Sequence, residues 1–345
     1  MSLSVVTGGS GFIGQHIVEQ LVAGGEEVRI FDLVPPPTRR PGASFVRGSV
    51  TDRDALVSAL TNARYVYHAA AIPHLWAPDP GIYYTVNVRG TEHVLDAALA
   101  AGVERVVHTS SSTVLTSRDV GYRGTTIDET FETLEKNLVG HYARSKWRGE
   151  RLALGYADRL DVVVVMPTLP LGPGDRNQTP PTRMLADFVK GRNPAYVDCT
   201  LNIIDVRDVA AAHISACRRG RSGQRYILNQ HSLPMATLLD QLQGIIERPV
   251  PRFRIPKAAA LLASAADQAW SAMVTKEQPR APLAGTRMSM LPITFSGQRA
   301  QSELGLAQTS LARTLADAVG WLSTKDDTAP VPINPALVFD HHRAL

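Results

Sequence analysis

Two rhythms alternate through the first half of the chain. Short β-branched or aromatic runs stand at Val5-Val6-Thr7, Val28-Arg29-Ile30-Phe31, Phe45-Val46, Tyr65-Val66-Tyr67, Val106-Val107-His108-Thr109 and 162–165. Each reads as a short buried strand. Between them the apolar positions space out helically. Ile13, Ile17 and Leu21, with Val18 and Val22, predict a helix that Gly24-Gly25 ends. Further helices are predicted over 54–60, 87–101 and 142–156, with Gly102 closing the second of them. Strands that alternate with helices pair in parallel, so the pattern predicts an α/β fold: a doubly wound parallel sheet covered on both faces.

The rhythm breaks after Pro167. Residues 167–181 hold five prolines and two glycines, which predicts a long shaped loop. A helix over 183–189 follows. Strands at Ile203-Ile204 and Tyr226-Ile227-Leu228 flank a helix over 206–217, and the pattern from Met235 is mostly helical. This divides the chain into a sheet domain over 1–167, to which 203–228 returns, and a smaller C-terminal lobe over 168–202 and 229–324. A Pro-rich tail covers 325–345. The helical segment 255–274 is apolar, but its uncharged core between Lys257 and Asp267 is far shorter than the ~20 residues a spanning helix needs. It also lacks the basic face of a surface-seeking helix, so packing is expected and stable membrane insertion is not.

Composition narrows the classes further. At 44% hydrophobic and 20% charged residues, the 345-residue chain is globular, not collagen-like or disordered. The basic excess is only +4, and Arg39-Arg40 and Arg218-Arg219 with Arg221 are short and not interleaved with aromatics. No nucleic-acid partner is expected. Cys199 and Cys217 are too few for a disulfide framework and lack metal-ligand spacing, so two buried thiols are expected. Asp340-His341-His342 is not read as a metal site either. No basic leader precedes Leu3-Ser4-Val5-Val6, so the expected compartment is the cytoplasm.

Candidate chemistry begins at Thr7-Gly8-Gly9-Ser10-Gly11-Phe12-Ile13-Gly14. Gly8, Gly11 and Gly14 stand three apart between a predicted strand and a predicted helix. Glycine serves the tight turn, the approach of backbone to a pyrophosphate, and close helix–strand packing. The helix N-terminus then offers free N–H groups to phosphate. Asp32 ends the second strand, where a carboxylate accepts from the adenosine ribose hydroxyls and repels a 2′-phosphate, favouring NAD(H). Arg39 and Arg40 are the rival signal, for NADP(H). Ala69, Ala70 and Ala71 follow the fourth strand and are small enough to pass under adenine and ribose.

Tyr142-Ala143-Arg144-Ser145-Lys146 sets a phenol and an ammonium one helical turn apart on one face. A lysine charge lowers a tyrosine's pKa and makes proton exchange with a substrate oxygen feasible near neutral pH. The same lysine can hold the nicotinamide ribose. Thr109-Ser110-Ser111-Ser112-Thr113 falls at the carboxyl end of the fifth strand, where open parallel sheets bind ligands. Ser111 is the preferred donor to the substrate oxygen, with Thr113 assisting and Ser112 its rival.

Together with Asn87-Val88-Arg89-Gly90-Thr91, these motifs resemble, in this order, the extended short-chain dehydrogenases/reductases over about residues 3 to 322. The resemblance implies a Rossmann-type domain with a smaller C-terminal substrate lobe, NAD(H), and a homodimer formed through a four-helix bundle. It implies that Asn87 starts the fourth helix and supports the active site, and that Pro167 with Leu169 lies beside the nicotinamide amide. Ser49 falls where many members carry an Asp toward the adenine, while Val50 can pack on the base. Within the superfamily the chain looks like the dihydroflavonol 4-reductase and 3β-hydroxysteroid dehydrogenase branch and the hopanoid-associated sugar epimerase-like proteins. The stretches 166–175 and 192–198 carry that likeness. Two departures weigh against a nucleotide sugar. Leu169 stands where those enzymes place an Asn, and Leu201-Asn202 where they place an Arg, although a diphosphate calls for such donors.

The expected substrate wall is mostly apolar: His74, Trp76 and Tyr83 after the fourth strand, then Leu171, Met184, Phe188 and Tyr196. For Met184 and Phe188 a plain core role is an equal reading. The expectation is an NAD-dependent enzyme that interconverts a secondary alcohol and a ketone on an apolar small molecule. The rivals are an epimerase or dehydratase of a nucleotide sugar and a cofactor-sensing protein without turnover.

Overall fold

The computed structural model describes residues 2–118 and 125–324. The tail with Asp340-His341-His342 lies outside the described residues.

The strands are β1 (Leu3–Thr7), β2 (Glu27–Asp32), β3 (Ala43–Arg47), β4 (Tyr65–His68), β5 (Arg105–Thr109), β6 (Thr125–Ile127) and β7 (Val162–Pro167). Then come β8 (Leu169–Leu171), β9 (Ala195–Val197), β10 (Thr200–Asp205), β11 (Arg225–Leu228), β12 (His231–Pro234), β13 (Phe253–Ile255) and β14 (Ile293–Phe295). Seven of them form one parallel sheet in the order β11-β7-β5-β4-β1-β2-β3. β1 lies between β2 and β4, so the strand order reverses there and opens a crevice at the carboxyl ends. This is the Rossmann-type arrangement.

Helices cover both faces, which is why the central strands are apolar without alternation. On one face α1 (Phe12–Ala23) and α7 (Val206–Arg219) pack Ile17, Leu21 and Val209 onto Val6, Val107 and Val163. On the other, α2 (Arg53–Leu60), α4 (Gly90–Ala100) and α5 (Gly140–Gly155) pack Leu56, Leu95 and Ala153 onto Val5, Val66 and Val164. Asp52 caps α2 by accepting from the Ala55 N–H at 3.1 Å.

The smaller lobe has its own core, in which Leu185, Phe188, Leu201, Leu239 and Leu315 are buried. It is built from α6 (Pro180–Val189), α8 (Met235–Ile245), α9 (Lys257–Trp270), α10 (Leu283–Ser289) and α11 (Leu311–Ser323) with short sheets. β14 pairs with β6 and so ties this lobe to the first.

Several expectations shift. The stretch predicted as a loop from Pro167 contains β8, which pairs with β10 through Leu169–Ile203 and Leu171–Asp205. Ile203-Ile204 thus belongs to a three-stranded sheet with β8 and β12, and the return to the large sheet is made by α7 and β11. The helix predicted to open at Asn87 begins earlier, with α3 (Gly81–Tyr84), and passes through a π-turn over Thr85–Arg89 before α4. Cys217 is buried as expected, whereas Cys199 is only half-buried.

Candidate active site

The reversal point opens into a cleft of about 590 Å³ between the two lobes. The glycine turn forms its floor. Gly8 takes a left-handed φ of +70° that favours glycine. A Cβ on Gly8 would stand 2.6 Å from the Ala70 nitrogen, and one on Gly14 would stand 2.1 Å from the Gly8 carbonyl oxygen. The chain is therefore close-packed against Ala69-Ala70 on one side and the first turn of α1 on the other. Gly11 is the N-cap of α1 with no side-chain cap, so that helix end keeps its N–H groups for a ligand. Gly9 does not line the cleft; its Cβ position is blocked at 3.0 Å by Ile30 and the Val6 carbonyl. Ser10, Phe12, Ile13 and Gly14 do line it.

Asp32 is half-buried at the end of β2. Its Oδ2 accepts from the Ser10 N–H at 3.0 Å and its Oδ1 from the Val34 N–H at 3.3 Å, so the carboxylate is aimed across the glycine turn. Arg40 pairs with Glu19 at 3.1 Å, and neither Arg39 nor Arg40 lines the cleft. A Cβ-free cradle, an uncapped helix end and a fixed carboxylate on one wall fit NAD. Ser49, Val50, Ala69, Ala70, Ala71, Pro167 and Leu169 complete that wall.

Asn87 does not itself line the cleft; it stands behind the wall and bonds two of the segments that form it. It is buried. Its Oδ1 accepts from the Ile72 N–H at 2.8 Å and its Nδ2 donates to the Ser145 hydroxyl at 3.0 Å. From its place in the π-turn it thus straps the segment after β4 to α5.

Thr109, Ser111, Thr113, Tyr142 and Lys146 all line the cleft. Thr113 donates its hydroxyl to Ser111 Oγ at 3.0 Å. Lys146 is buried and its Nζ donates to the Thr109 carbonyl at 2.6 Å. Burial pushes its ammonium down to about 8, opposed by Glu150. The half-buried Tyr142 corrects an expectation. Burial pushes its phenol up, against the lowering expected from Lys146, and the opposing influence is the Ser111 hydroxyl.

The pattern of the chain did not single out Glu150. It lies a further helical turn along α5 from Lys146 and is fully buried. It accepts from the Ser110 hydroxyl, and Arg225 Nη1 donates to it at 3.1 Å. Burial raises its pKa. The four-residue spacing from Lys146 was the available signal. Three buried histidines also stand beneath the strand ends. His68 bonds Thr7 and Thr91, His213 bonds Thr109, and the His108 ring lies tilted against that of His68 with centroids 5.3 Å apart.

Of the expected substrate residues, His74 and Met184 line the cleft and Trp76 does not. Leu171, Phe188 and Tyr196 are instead part of the smaller lobe's core. Tyr83 is buried behind the wall. Its hydroxyl donates to the His74 carbonyl at 2.9 Å, and its ring stands edge-on to Tyr142 with centroids 6.5 Å apart. The sequence reasoning missed Asp175, Leu201, Met288, Leu291, Ile293 and Phe295, which line the substrate side.

The profile of the NAD dependent epimerase/dehydratase family matches residues 4–229. A Synechocystis sp. protein provisionally named a dihydroflavonol 4-reductase is 35% identical over 92% of this chain and 93% of its own. Sterol demethylase protein B of Methylococcus capsulatus is 30% identical over 92% of this chain and 97% of its own. The crystal structure of gox2253 superposes with a TM-score of 0.78 at 31% identity, covering 94% of this chain and 98% of that one. No helix among the described residues is long and apolar enough to cross a membrane. The chain belongs to the NAD-dependent epimerase/dehydratase family of extended short-chain dehydrogenases/reductases.

Proposed function

We propose that this oxidoreductase interconverts a secondary alcohol and a ketone on a largely apolar small molecule. The observation that carries the reading is the meeting of Tyr142, Lys146 and Ser111 with the glycine turn and Asp32 on one cleft. The turn from Gly8 to Gly14 cradles the pyrophosphate, and Asp32 accepts from the adenosine ribose hydroxyls. Bound there, NAD(H) supplies a hydride acceptor or donor. The Ser111 hydroxyl, backed by Thr113, donates to the substrate oxygen. Tyr142 Oη exchanges a proton with that oxygen. Lys146, fixed by the Thr109 carbonyl, supplies positive charge beside the phenol and a donor for the nicotinamide ribose. With its pKa raised by burial, Tyr142 is protonated at neutral pH, which suits ketone reduction. Alcohol oxidation needs the phenolate and rises with pH.

The walls support an apolar substrate. Met184, Leu201, Met288, Leu291 and Phe295 face the cleft, and its described lining holds no arginine and a single lysine, Lys146. That is poor company for the diphosphate of a nucleotide sugar. The dihydroflavonol and sterol in the names of the two relatives are ring systems that such a cleft suits.

NADH absorbance followed against a panel of cyclic ketones tests the reading. Net oxidation is expected with apolar ketones, whereas an epimerase leaves the absorbance unchanged. Tyr142→Phe is expected to lose on the order of a thousandfold in kcat while retaining cofactor affinity. Unimpaired turnover by that variant removes the role given to the phenol.

A further inference from the structure

We propose that Asn202 is a positioning residue for substrate selectivity. Its side-chain amide clamps β14, and the clamp holds Ile293 and Phe295 as a fixed apolar stretch of the substrate wall. The inference rests on the alcohol–ketone reading above and deepens it by naming what sets the apolar selectivity.

β14 is three residues long and has a single strand partner, β6. The backbone groups on its open edge are buried and need partners from elsewhere. Two side-chain amides stand in for a further strand there. Asn202 Nδ2 donates to the Ile293 carbonyl at 2.9 Å, and Asn202 Oδ1 accepts from the Phe295 N–H at 3.2 Å. These two groups, two residues apart, are the pair that one residue of a parallel neighbour would engage. Asn229 Nδ2 donates to the carbonyl of Phe295 at 2.8 Å. The Ser232 hydroxyl joins the two amides. It donates to Asn202 Oδ1 at 2.7 Å and accepts from Asn229 Nδ2 at 3.1 Å.

The clamp needs a group that donates and accepts side by side, and an amide does both. A carboxylate cannot donate, and an alkyl chain can do neither. Asn202, Ile293 and Phe295 are all buried and all line the cleft. In a strand, residues two apart share a face, so Ile293 and Phe295 are presented together. Thr294 faces the other way, and its hydroxyl bonds that of Thr126 at 2.8 Å. Without the amide, the Ile293 carbonyl and the Phe295 N–H lie unpaired beside an apolar ligand, which is costly. β14 then shifts to recover partners and carries both wall side chains with it.

The test compares NADH oxidation with decalone and with cyclohexanone in the full chain. Cyclohexanone has only the reacting ring, whereas decalone adds a second ring that must lie against the wall. The ratio of kcat/KM for decalone to that for cyclohexanone is expected to fall about tenfold in Asn202→Ala, through KM for decalone, with NAD affinity kept. An unchanged ratio, or a fall shared equally by both ketones, overturns the proposal. Ser232 is exposed and outside the cleft, so Ser232→Ala removes the link and leaves both amides in place. Should Asn202→Ala not fold, Ser232→Ala decides, with a fall of about twofold expected and an unchanged ratio overturning the proposal. Hydrogen exchange at the Phe295 amide reads the clamp without turnover. Exchange about tenfold faster is expected in the folded Asn202 variant, with Val107 of the large sheet unchanged; an equal rate at Phe295 overturns the clamp. If the wild type reduces neither ketone, the alcohol–ketone reading fails and exchange alone judges the clamp.

Discussion

The two walls of the cleft are made differently. The nucleotide wall is mostly backbone and small side chains: a glycine turn and a helix end beside the Asp32 carboxylate, all from the first thirty-two residues, completed by Ser49, Val50, Ala69, Ala70, Ala71, Pro167 and Leu169. The substrate wall is side chains drawn from β5, α5, the segment around Asp175, α6, β10, α10 and β14. Backbone sites tolerate little change because the contact distances leave no slack, whereas side-chain walls can be exchanged one residue at a time. The first wall therefore states the cofactor, and the second holds the freedom to choose a substrate.

The strongest way to break this contrast is at Gly14. A Cβ there meets the Gly8 carbonyl at 2.1 Å, and both partners are backbone that cannot swing aside. Gly14→Val is expected to weaken NAD binding by a hundredfold or more, about 3 kcal/mol, as measured by calorimetry on the folded variant. Substitution of Met184, a side chain of the second wall, is expected to change substrate preference and leave the NAD affinity alone. A Gly14→Val protein with ordinary NAD affinity would erase the distinction between the walls.

The next effect concerns residues that only resemble substrate contacts. Phe188 is one helical turn from Met184 on α6, and the two share a face. Phe188 is buried in the smaller lobe's core. Phe188→Ala is expected to cost about 3–4 kcal/mol in denaturant unfolding, with KM for both substrates unchanged at a temperature where the variant is folded. A selective rise in substrate KM would return Phe188 to the cleft.

That pair shows why half of the site was legible. Strand and helix periods, glycine spacing and the acid at the end of β2 are local signals, and each is fixed by the chain itself. Met184 and Phe188 are both large, apolar and four residues apart, and only the tertiary packing of the lobe decides which of them meets the ligand. The π-turn at Thr85–Arg89 escaped notice because its inserted residue leaves the surrounding helical pattern intact, yet it carries Asn87 and its bond to the Ile72 N–H. β8 was hidden among prolines whose pairing partner, β10, lies over thirty residues away. Glu150 was visible as a spacing and silent as a role, since its partners Ser110 and Arg225 come from other elements.

Acid stability sharpens the contrast on the nucleotide side. Burial holds His68 down to about 3 and His213 down to about 4, and His108 well below its ordinary value. These rings are neutral in the folded chain, while the unfolded chain takes up protons from about pH 6.5. The unfolded state binds more protons below that pH, so stability falls as pH drops from about 6.5 and levels off only below the folded values. The slope is at most about 1.4 kcal/mol per pH unit for each histidine. His213→Gln is expected to flatten it by up to that amount between about pH 6.5 and 5, above the main carboxylate range. An unchanged slope in urea unfolding at several pH values would show that His213 is not buried in neutral form.

The smallest effect is at Glu150, and it links the two walls. Lys146 loses its proton near pH 8 because burial disfavours the ammonium, and the Glu150 carboxylate opposes that loss. Glu150→Gln removes the charge and retains a carbonyl that can accept from the Ser110 hydroxyl. Without the opposing charge, burial acts alone and the ammonium is lost at lower pH. The high-pH limb of ketone reduction is therefore expected to move down by about one unit or less, with kcat on the low-pH plateau nearly kept. Arg225 retains its bonds to the Glu129 carbonyl and to Glu132 Oε1, so the strand beneath it is still held. A uniform loss of kcat with the limb in place would make Glu150 a packing residue only. A displaced limb with the plateau intact would mean that a carboxylate buried below the cleft sets the charge state of the lysine that serves the cofactor and the reacting phenol alike.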